Sequence, residues 1–231
     1  MILALGRVEL TLLLRNKSAA ALALVVPLLT GVFFAMSDWG LPVVVTLQLV
    51  MTLGFTVYVT ATTSLVARRQ DLYLKRLRTG EASDTTVLVG LLTPTVLLGC
   101  AQTLVLLTVN TVAGAPLPER PLLLVLAVLG GAVMCCAIGV ATSGITSTAE
   151  LAQITTAPFF FVVMGGAFWA LSAETVDFRM LVVPGGQIAE LVKAAWGGPT
   201  DHVAIAAAAL IAWTAGGYAL ATRYFRWEPR S

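Results

Sequence analysis

Six long apolar segments constrain this chain more strongly than any other feature. They lie at about 18–37, 43–67, 85–113, 121–145, 150–172 and 202–222, and each supplies the roughly 20 residues that a helix needs to cross a bilayer. Lipid offers no partner to unpaired backbone groups, so such segments cross it as helices. Of the 231 residues 58% are hydrophobic and 11% charged, against about 45–50% and about 25% in soluble domains. We predict an all-α, multi-pass membrane protein that forms one domain over residues 1–231.

The positions of Lys and Arg predict the orientation of the six spans. With the N-terminus in the cytoplasm, eleven of the fourteen Lys and Arg lie on the cytoplasmic side, as the positive-inside rule requires. Both termini are then cytoplasmic. The composition, rich in Ala, Leu, Val and Gly and poor in Lys, fits a high-GC bacterium, and the inner (cytoplasmic) membrane is the predicted location. In this orientation the segment 67–83, ARRQDLYLKRLRTGEAS, is the first cytoplasmic loop and holds five of the cations.

This first loop has internal order. Asp71 and Lys75 are four residues apart, in the favourable orientation for a helix, Leu74 and Leu77 share a face, and Gly80 ends the run. A short helix with an apolar face and a cationic face is predicted. The alternative is that the cations only fix the topology and lie on anionic lipid headgroups.

Two segments outside the spans predict short amphipathic helices. In residues 1–17, Arg7, Thr11 and Arg15 recur every four residues, which predicts an interfacial helix; a frayed terminus is the alternative. In the outer connection 173–201, a helix is predicted in the outer interface, the alternative being a helix that covers the bundle. Its apolar face contains Ile188, Leu191, Val192, Ala195 and Trp196.

Polar residues inside the spans need partners, because lipid supplies none. The second span carries a polar stripe with a four-residue repeat: Gln48, Thr52, Thr56, Thr60 and Ser64. Packing against other helices and lining a transport path both remain open for this stripe. Gln102, Asn110 and Gln153 also require internal partners. Pro27, Pro94 and Pro158 each predict a kink that frees a backbone carbonyl.

Several function classes lack their residues in this sequence. No span has a charged residue near its centre, which argues against a proton relay or an ion-coupled carrier. There is no G-x-x-x-x-G-K-[ST], H-E-x-x-H or G-x-S-x-G motif. The three cysteines lie in apolar runs and the one histidine, His202, stands alone. We predict no enzyme activity, no metal site and no nucleic-acid partner.

The first loop resembles that of a known family. RRQDLYLKRLRTGEASDTTVLVGLL is similar to the first cytoplasmic loop of ABC type-2 permeases, the membrane subunits of ATP-driven exporters such as the daunorubicin-resistance type. Those loops run R-E-x-G-T-L-K-R-L-R-x-T-P before small residues and an apolar helix. Asp71, Tyr73, Gly80 and Glu81 depart from that pattern. The resemblance extends to the six spans, to APFFFVVMGGAFWAL in the fifth span, and to the outer VPGGQIAELVKAAW, which resembles the family's short re-entrant helices.

The resemblance implies a dimer of permeases, identical or different, bound to two separate ATPase subunits. ATP and Mg would bind on those subunits, and this chain would hold no cofactor. The first loop would be a coupling helix in an ATPase groove, and the turn TSTAE (146–150) would form a smaller contact. The implied ATPase-contact residues are Arg68, Arg69, Asp71, Leu74, Lys75, Arg76, Leu77, Arg78, Glu81 and Glu150.

The same resemblance implies a substrate path or dimer seam along the second and fifth spans. Its residues would be Gln48, Thr52, Phe55, Thr56, Tyr58, Thr60, Phe159, Phe160, Met164 and Phe168. For any single phenylalanine, an ordinary core position is the alternative. The expected function is export of a hydrophobic or amphipathic drug-like molecule. A lipid or glycan exporter and a non-pumping immunity or binding protein are the alternatives.

Overall fold

The computed structural model describes residues 6, 11–13, 15–78 and 83–228, the side chain of Arg78 excepted. Over these residues the chain is helical and contains no strand. Six helices are long and apolar enough to cross a membrane, which confirms the predicted all-α fold with six candidate spans. They are α1 (Lys17–Ala35), α2 (Leu41–Gln70), α4 (Asp84–Val112), α5 (Pro121–Ile145), α6 (Ala152–Ser172) and α9 (Val203–Tyr224). Further short helices are α3 (Tyr73–Arg78), α7 (Phe178–Val182) and α8 (Gly186–Ala195).

Helix α2 lies at the centre of the bundle. In its most apolar window 83% of the residues are buried, compared with 17% in α1, 28% in α6 and 22% in α9. The helix that carries the polar stripe is therefore the one most enclosed by other helices. This placement agrees with the expectation that polar groups at membrane depth face protein and not lipid.

Two π-helical segments interrupt the spans where α1 and α2 are in contact. One covers Ala21–Val25 in α1 and the other Thr52–Val59 in α2. Pro27 lies two residues after the end of the first segment. Since a proline leaves the regular hydrogen-bond ladder incomplete, the first segment presents the Ala23 carbonyl to the neighbouring helices α2 and α4.

Helix α8 lies inside the bundle, packed against α2, α5, α6 and α9. Nine of its ten residues are buried, and Glu190 is only 3% exposed. This differs from the predicted helix in the outer interface, which would have kept a polar side exposed. Two glycines at its start explain the insertion. Gly185 has φ +98°, and a Cβ on Gly185 would overlap the Val163 backbone, as a Cβ on Gly186 would overlap the Met180 backbone.

The predicted interfacial helix over 1–17 falls largely on residues outside those described. The orientation of the termini and the single-domain organisation stay predictions.

Candidate coupling site and groove

The turn between α2 and α3 rests on an unusual backbone conformation. Leu72 has φ +56°, in the left-handed region that non-glycine residues rarely adopt. Its N–H donates to the Arg69 carbonyl at 3.1 Å, and its own carbonyl accepts from the Arg76 N–H at 3.2 Å. The chain therefore leaves α2 and enters α3 within two residues, Asp71 and Leu72.

Helix α3 has the two faces that the sequence predicts. Leu74 is fully buried, with Leu77 packed beside it, and both belong to a cluster formed with α2, α4, α5 and α9. The buried members of this cluster are Leu65, Leu74, Val87, Leu91, Val140, Ala141 and Ala221. Asp71, Lys75 and Arg76 are exposed. The apolar face thus anchors α3 to its own bundle, and Leu74 is not available to a partner as the family resemblance implied.

Arg69 also lies inside the protein and not on the surface. Its side chain is 3% exposed, Nη1 donates to the Ser143 carbonyl at 2.9 Å, and Nη2 donates to the Thr146 carbonyl. These carbonyls close the C-terminal end of α5, where backbone acceptors lack helical donors and the helix dipole is negative. Arg69 therefore binds the end of α2 to the end of α5, and burial removes it from the implied ATPase-contact surface.

The turn 146–150 is joined to the same place. The Gln70 Oε1 accepts a hydrogen bond from the Ala149 N–H at 3.2 Å. Beside it, Glu150 is exposed. A hydrogen bond from its own backbone N–H, and a second one from the Thr148 side chain, lower the pKa of the Glu150 carboxyl. The two implied contact segments, α3 and the turn, are thus neighbours held together through Arg69 and Gln70. Sequence reasoning gave Gln70 no role, because one glutamine in a polar loop carries no pattern.

The C-terminal segment reaches α3 as well. Glu228 Oε1 lies 3.1 Å from Lys75 Nζ, and Phe225 and Trp227 pack against the cluster beneath Leu74. Both charged side chains are more than half exposed, so this ion pair contributes at most about 1 kcal/mol. Arg68 is half-buried and lies 5.7 Å from the centre of the Tyr73 ring. Arg78, whose side chain is not described, and Glu81 lie outside this description.

At the N-terminal end of the polar stripe of α2, Gln48 forms two reciprocal hydrogen bonds with Asn110 of α4. Gln48 Nε2 donates to Asn110 Oδ1 at 3.1 Å, and Asn110 Nδ2 donates to Gln48 Oε1 at 2.8 Å. Gln48 Nε2 also donates to the Gly31 carbonyl at 2.9 Å. The pair links α1, α2 and α4, which assigns Gln48 to helix packing.

Thr56, inside the π-helical segment Thr52–Val59, also serves helix packing. Its hydroxyl lies 2.7 Å from the Ala23 carbonyl and 2.6 Å from Gln102 Oε1, and Gln102 Nε2 donates to the Ala23 carbonyl at 2.8 Å. Pro27, four residues after Ala23, has no N–H to offer that carbonyl. Thr56 and Gln102 therefore satisfy the acceptor that the proline frees. Thr52 is buried with them in the protein interior, and its hydroxyl has no partner among the described residues.

The implied aromatic residues divide between core and surface. Tyr58 is 1% exposed, its hydroxyl lies 3.1 Å from Thr142 Oγ1, and its ring is 5.1 Å from that of Phe159. Met164 packs on the same core. Phe168 is 47% exposed on the outside of α6. Core packing accounts for Tyr58, Phe159 and Met164.

Phe55, Thr60 and Phe160, three of the residues that the resemblance implied, line a groove. The groove consists of a cavity of about 530 Å³ near the end of α2 and one of about 260 Å³ beside it, which share Leu22, Val59 and Gln153. The larger cavity has a polar wall that includes Asn16, Thr63, Ser64, Arg68, Asp71 and Glu150. The smaller one is lined mainly by apolar and aromatic side chains, among them Phe55, Phe160 and Phe161. One end of the groove is thus polar and the other aromatic.

Among the described residues no group of His, Cys, Asp or Glu could hold a metal ion. The comparison with curated proteins gives no match. A family model described as ABC-2 type transporter matches residues 1–178, which is 178 of the 231 residues. The chain therefore belongs to the ABC-2 type transporter family, as a multi-pass membrane subunit that works with an ABC ATPase.

Proposed function

We propose that this protein is the permease of an ATP-driven exporter in the inner membrane of a bacterium, with both termini in the cytoplasm. Two permeases would assemble with two ATPase subunits, which bind ATP and Mg. The exposed cations of α3, on a helix whose other face is anchored in the bundle, carry this proposal. When a docked partner displaces α3, the spans are displaced with it, because the buried face of α3 prevents this helix from tilting independently of the spans.

Charge reversal tests the coupling surface. K75E/R76E removes exposed cations without touching the buried Leu74 contact, and adding R78E completes the cationic set of α3. We expect loss of ATPase copurification and of ATP-dependent transport. R223E/R226E is a matched control, since these arginines are exposed near the C-terminus. If the α3 variants bind the ATPase and transport as the unmodified chain does, the coupling role is wrong.

The groove supports an amphipathic substrate. Its polar end suits a headgroup and its aromatic end an apolar body, whereas a glycan would find few partners beside Phe55, Phe160 and Phe161. We expect F55A/F160A to raise the apparent KM for an amphipathic dye severalfold, with ATPase copurification unchanged. F168A, on the exposed outside of α6, is the control.

A non-pumping immunity protein would also bind an amphipathic compound. The two functions separate when the ATPase subunit is made catalytically inactive. Export predicts that protection of the cell is lost, and sequestration predicts that protection persists. An unchanged KM in F55A/F160A would instead exclude the groove as the substrate site.

A further inference from the structure

We propose that Arg69 and Gln70 clamp α3 and the turn 146–150 into one rigid unit, so that both ATPase-facing segments move together. The clamp is defined as these two side chains with the backbone of Ser143, Thr146 and Ala149. This inference rests on the proposed function for its consequence in transport. Its structural part, that the two segments form one body, concerns this chain alone.

The chemistry of Arg69 fits a clamp. A guanidinium carries several N–H donors in a fixed plane, so it binds two carbonyls at once, where a lysine ammonium acts as a point charge. Its 3% exposure means that the charge has been taken out of water, which is costly unless its donors are bonded. Separation of α2 from α5 would leave this buried charge without Ser143 and Thr146, and the closed arrangement is favoured for that reason.

Gln70 extends the contact past the end of α5. Its carbonyl oxygen accepts from the Ala149 N–H inside the turn itself, adjacent to the exposed Glu150. The two consecutive residues therefore hold both the helix end and the turn that follows it. Asp71 and Leu72 come next in the chain and lead directly into α3.

The end of α5 is held on another side by α9. Gly144 is so close to the Tyr224 carbonyl that a Cβ at this position would overlap it. A displacement of α3 is thus passed through Arg69 to the end of α5, from there to α9, and through the turn to the start of α6. In this arrangement the second contact segment does not act independently of the first.

Cysteine cross-linking measures the clamp in the full chain in membranes. The native cysteines Cys100, Cys135 and Cys136 are replaced by alanine, and Q70C/A149C, in which Arg69 is the remaining side chain of the clamp, is treated with a short bis-methanethiosulfonate reagent. We expect rapid cross-linking with Arg69 present and a rate about tenfold lower with R69Q, since removing a charged donor opens the contact. R68Q is the matched control: it removes the same charge one residue earlier and leaves the α5 carbonyl contacts in place.

Transport supplies the second readout. In the assembled complex, R69Q is expected to keep ATP hydrolysis while losing most transport per ATP, R69K to be intermediate, and the Q70C–A149C cross-link to restore transport to R69Q. A structural defect alone would not be repaired by one cross-link. Because R69Q could fail to fold, the cross-link is also made with Arg69 intact, where transport is expected to continue.

Loss of transport on cross-linking the chain with Arg69 intact would show that the two segments must separate, and would overturn the proposal. An equal cross-linking rate in R69Q would overturn it as well. Failure of the unmodified complex to hydrolyse ATP or transport would refute the proposed function, while the cross-linking rates would still decide whether the segments form one body.

Discussion

The Ala23 carbonyl allows one contact network to be tested quantitatively. It accepts from Thr56 and Gln102 because Pro27 cannot donate to it. T56V and Q102L each remove one of these donors and leave the other. We therefore expect each single variant to lower the free energy of unfolding by about 1 kcal/mol, within the range of interhelical hydrogen bonds in membranes.

The double variant T56V/Q102L removes both side-chain donors at once. A buried carbonyl left without a partner costs about 1–3 kcal/mol, so the double variant is expected to lose about 3–4 kcal/mol in total. The difference from the sum of the single variants, about 1–2 kcal/mol, measures the contribution of the shared acceptor. Adding P27A supplies a backbone N–H at residue 27 and should reduce this excess.

Unfolding in mixed micelles, followed by tryptophan fluorescence, gives the four free energies of the cycle. T108V is the matched control, since the exposed Thr108 hydroxyl donates to the Leu104 carbonyl of its own helix at 2.8 Å. We expect it to change stability by no more than about 0.5 kcal/mol. The Thr56 hydroxyl and Gln102 Oε1 also contact each other at 2.6 Å, which lowers the measured excess, so P27A gives the deciding result. If P27A restores none of the stability lost in T56V/Q102L, the Ala23 carbonyl is not the shared acceptor and the reasoning is wrong.

Three further predictions follow from local geometry. A Cβ at Gly54 would overlap the Phe160 ring, so G54A should lower the free energy of unfolding by about 1–3 kcal/mol in the same assay. G165A is the control and should leave stability unchanged, because a Cβ at Gly165 meets open space. L74A removes a fully buried side chain of α3, so it should lower the free energy of unfolding by about 2–4 kcal/mol and weaken ATPase copurification. L72A, at a 44% exposed position, is the control. Equal ATPase copurification by L74A and L72A would contradict the anchoring of α3. Burial raises the pKa of Glu190, while His202, whose Nδ1 is 3.8 Å away, and Lys193 lower it. The folded protein therefore holds the carboxyl proton of Glu190 more tightly than the unfolded chain does. The stabilisation from this proton is complete below the ordinary pKa of 4.5 and is lost as the pH rises through the raised pKa. E190Q should therefore gain melting temperature over the unmodified protein as the pH rises from 4 to 7, with E174Q as the exposed control, and a pH-independent difference would contradict this.

The sequence by itself determined the fold class and the six helices. Their bounds differ from the predicted segments by no more than three residues. The physical reason is that lipid admits only backbones that satisfy their own hydrogen bonds, so length and hydropathy suffice. The amphipathic character of α3 was equally readable, because the positions of Leu74 and Leu77 depend only on local helical spacing.

Only the tertiary structure decided which groups meet. Arg69 looks in sequence like the other loop cations, yet its partners are carbonyls at residues 143 and 146, which the end of α5 brings to it. Likewise, the polar stripe of α2 left helix packing and a transport path open as roles until the packing of α4 against α2 paired Gln48 with Asn110 and Thr56 with Gln102. Helix α8 shows the same limit, since its amphipathic pattern is typical of a surface helix and two glycines let it enter the bundle. Periodicity reports a helix and its faces, but the neighbours of each face depend on contacts between residues that are far apart in the chain.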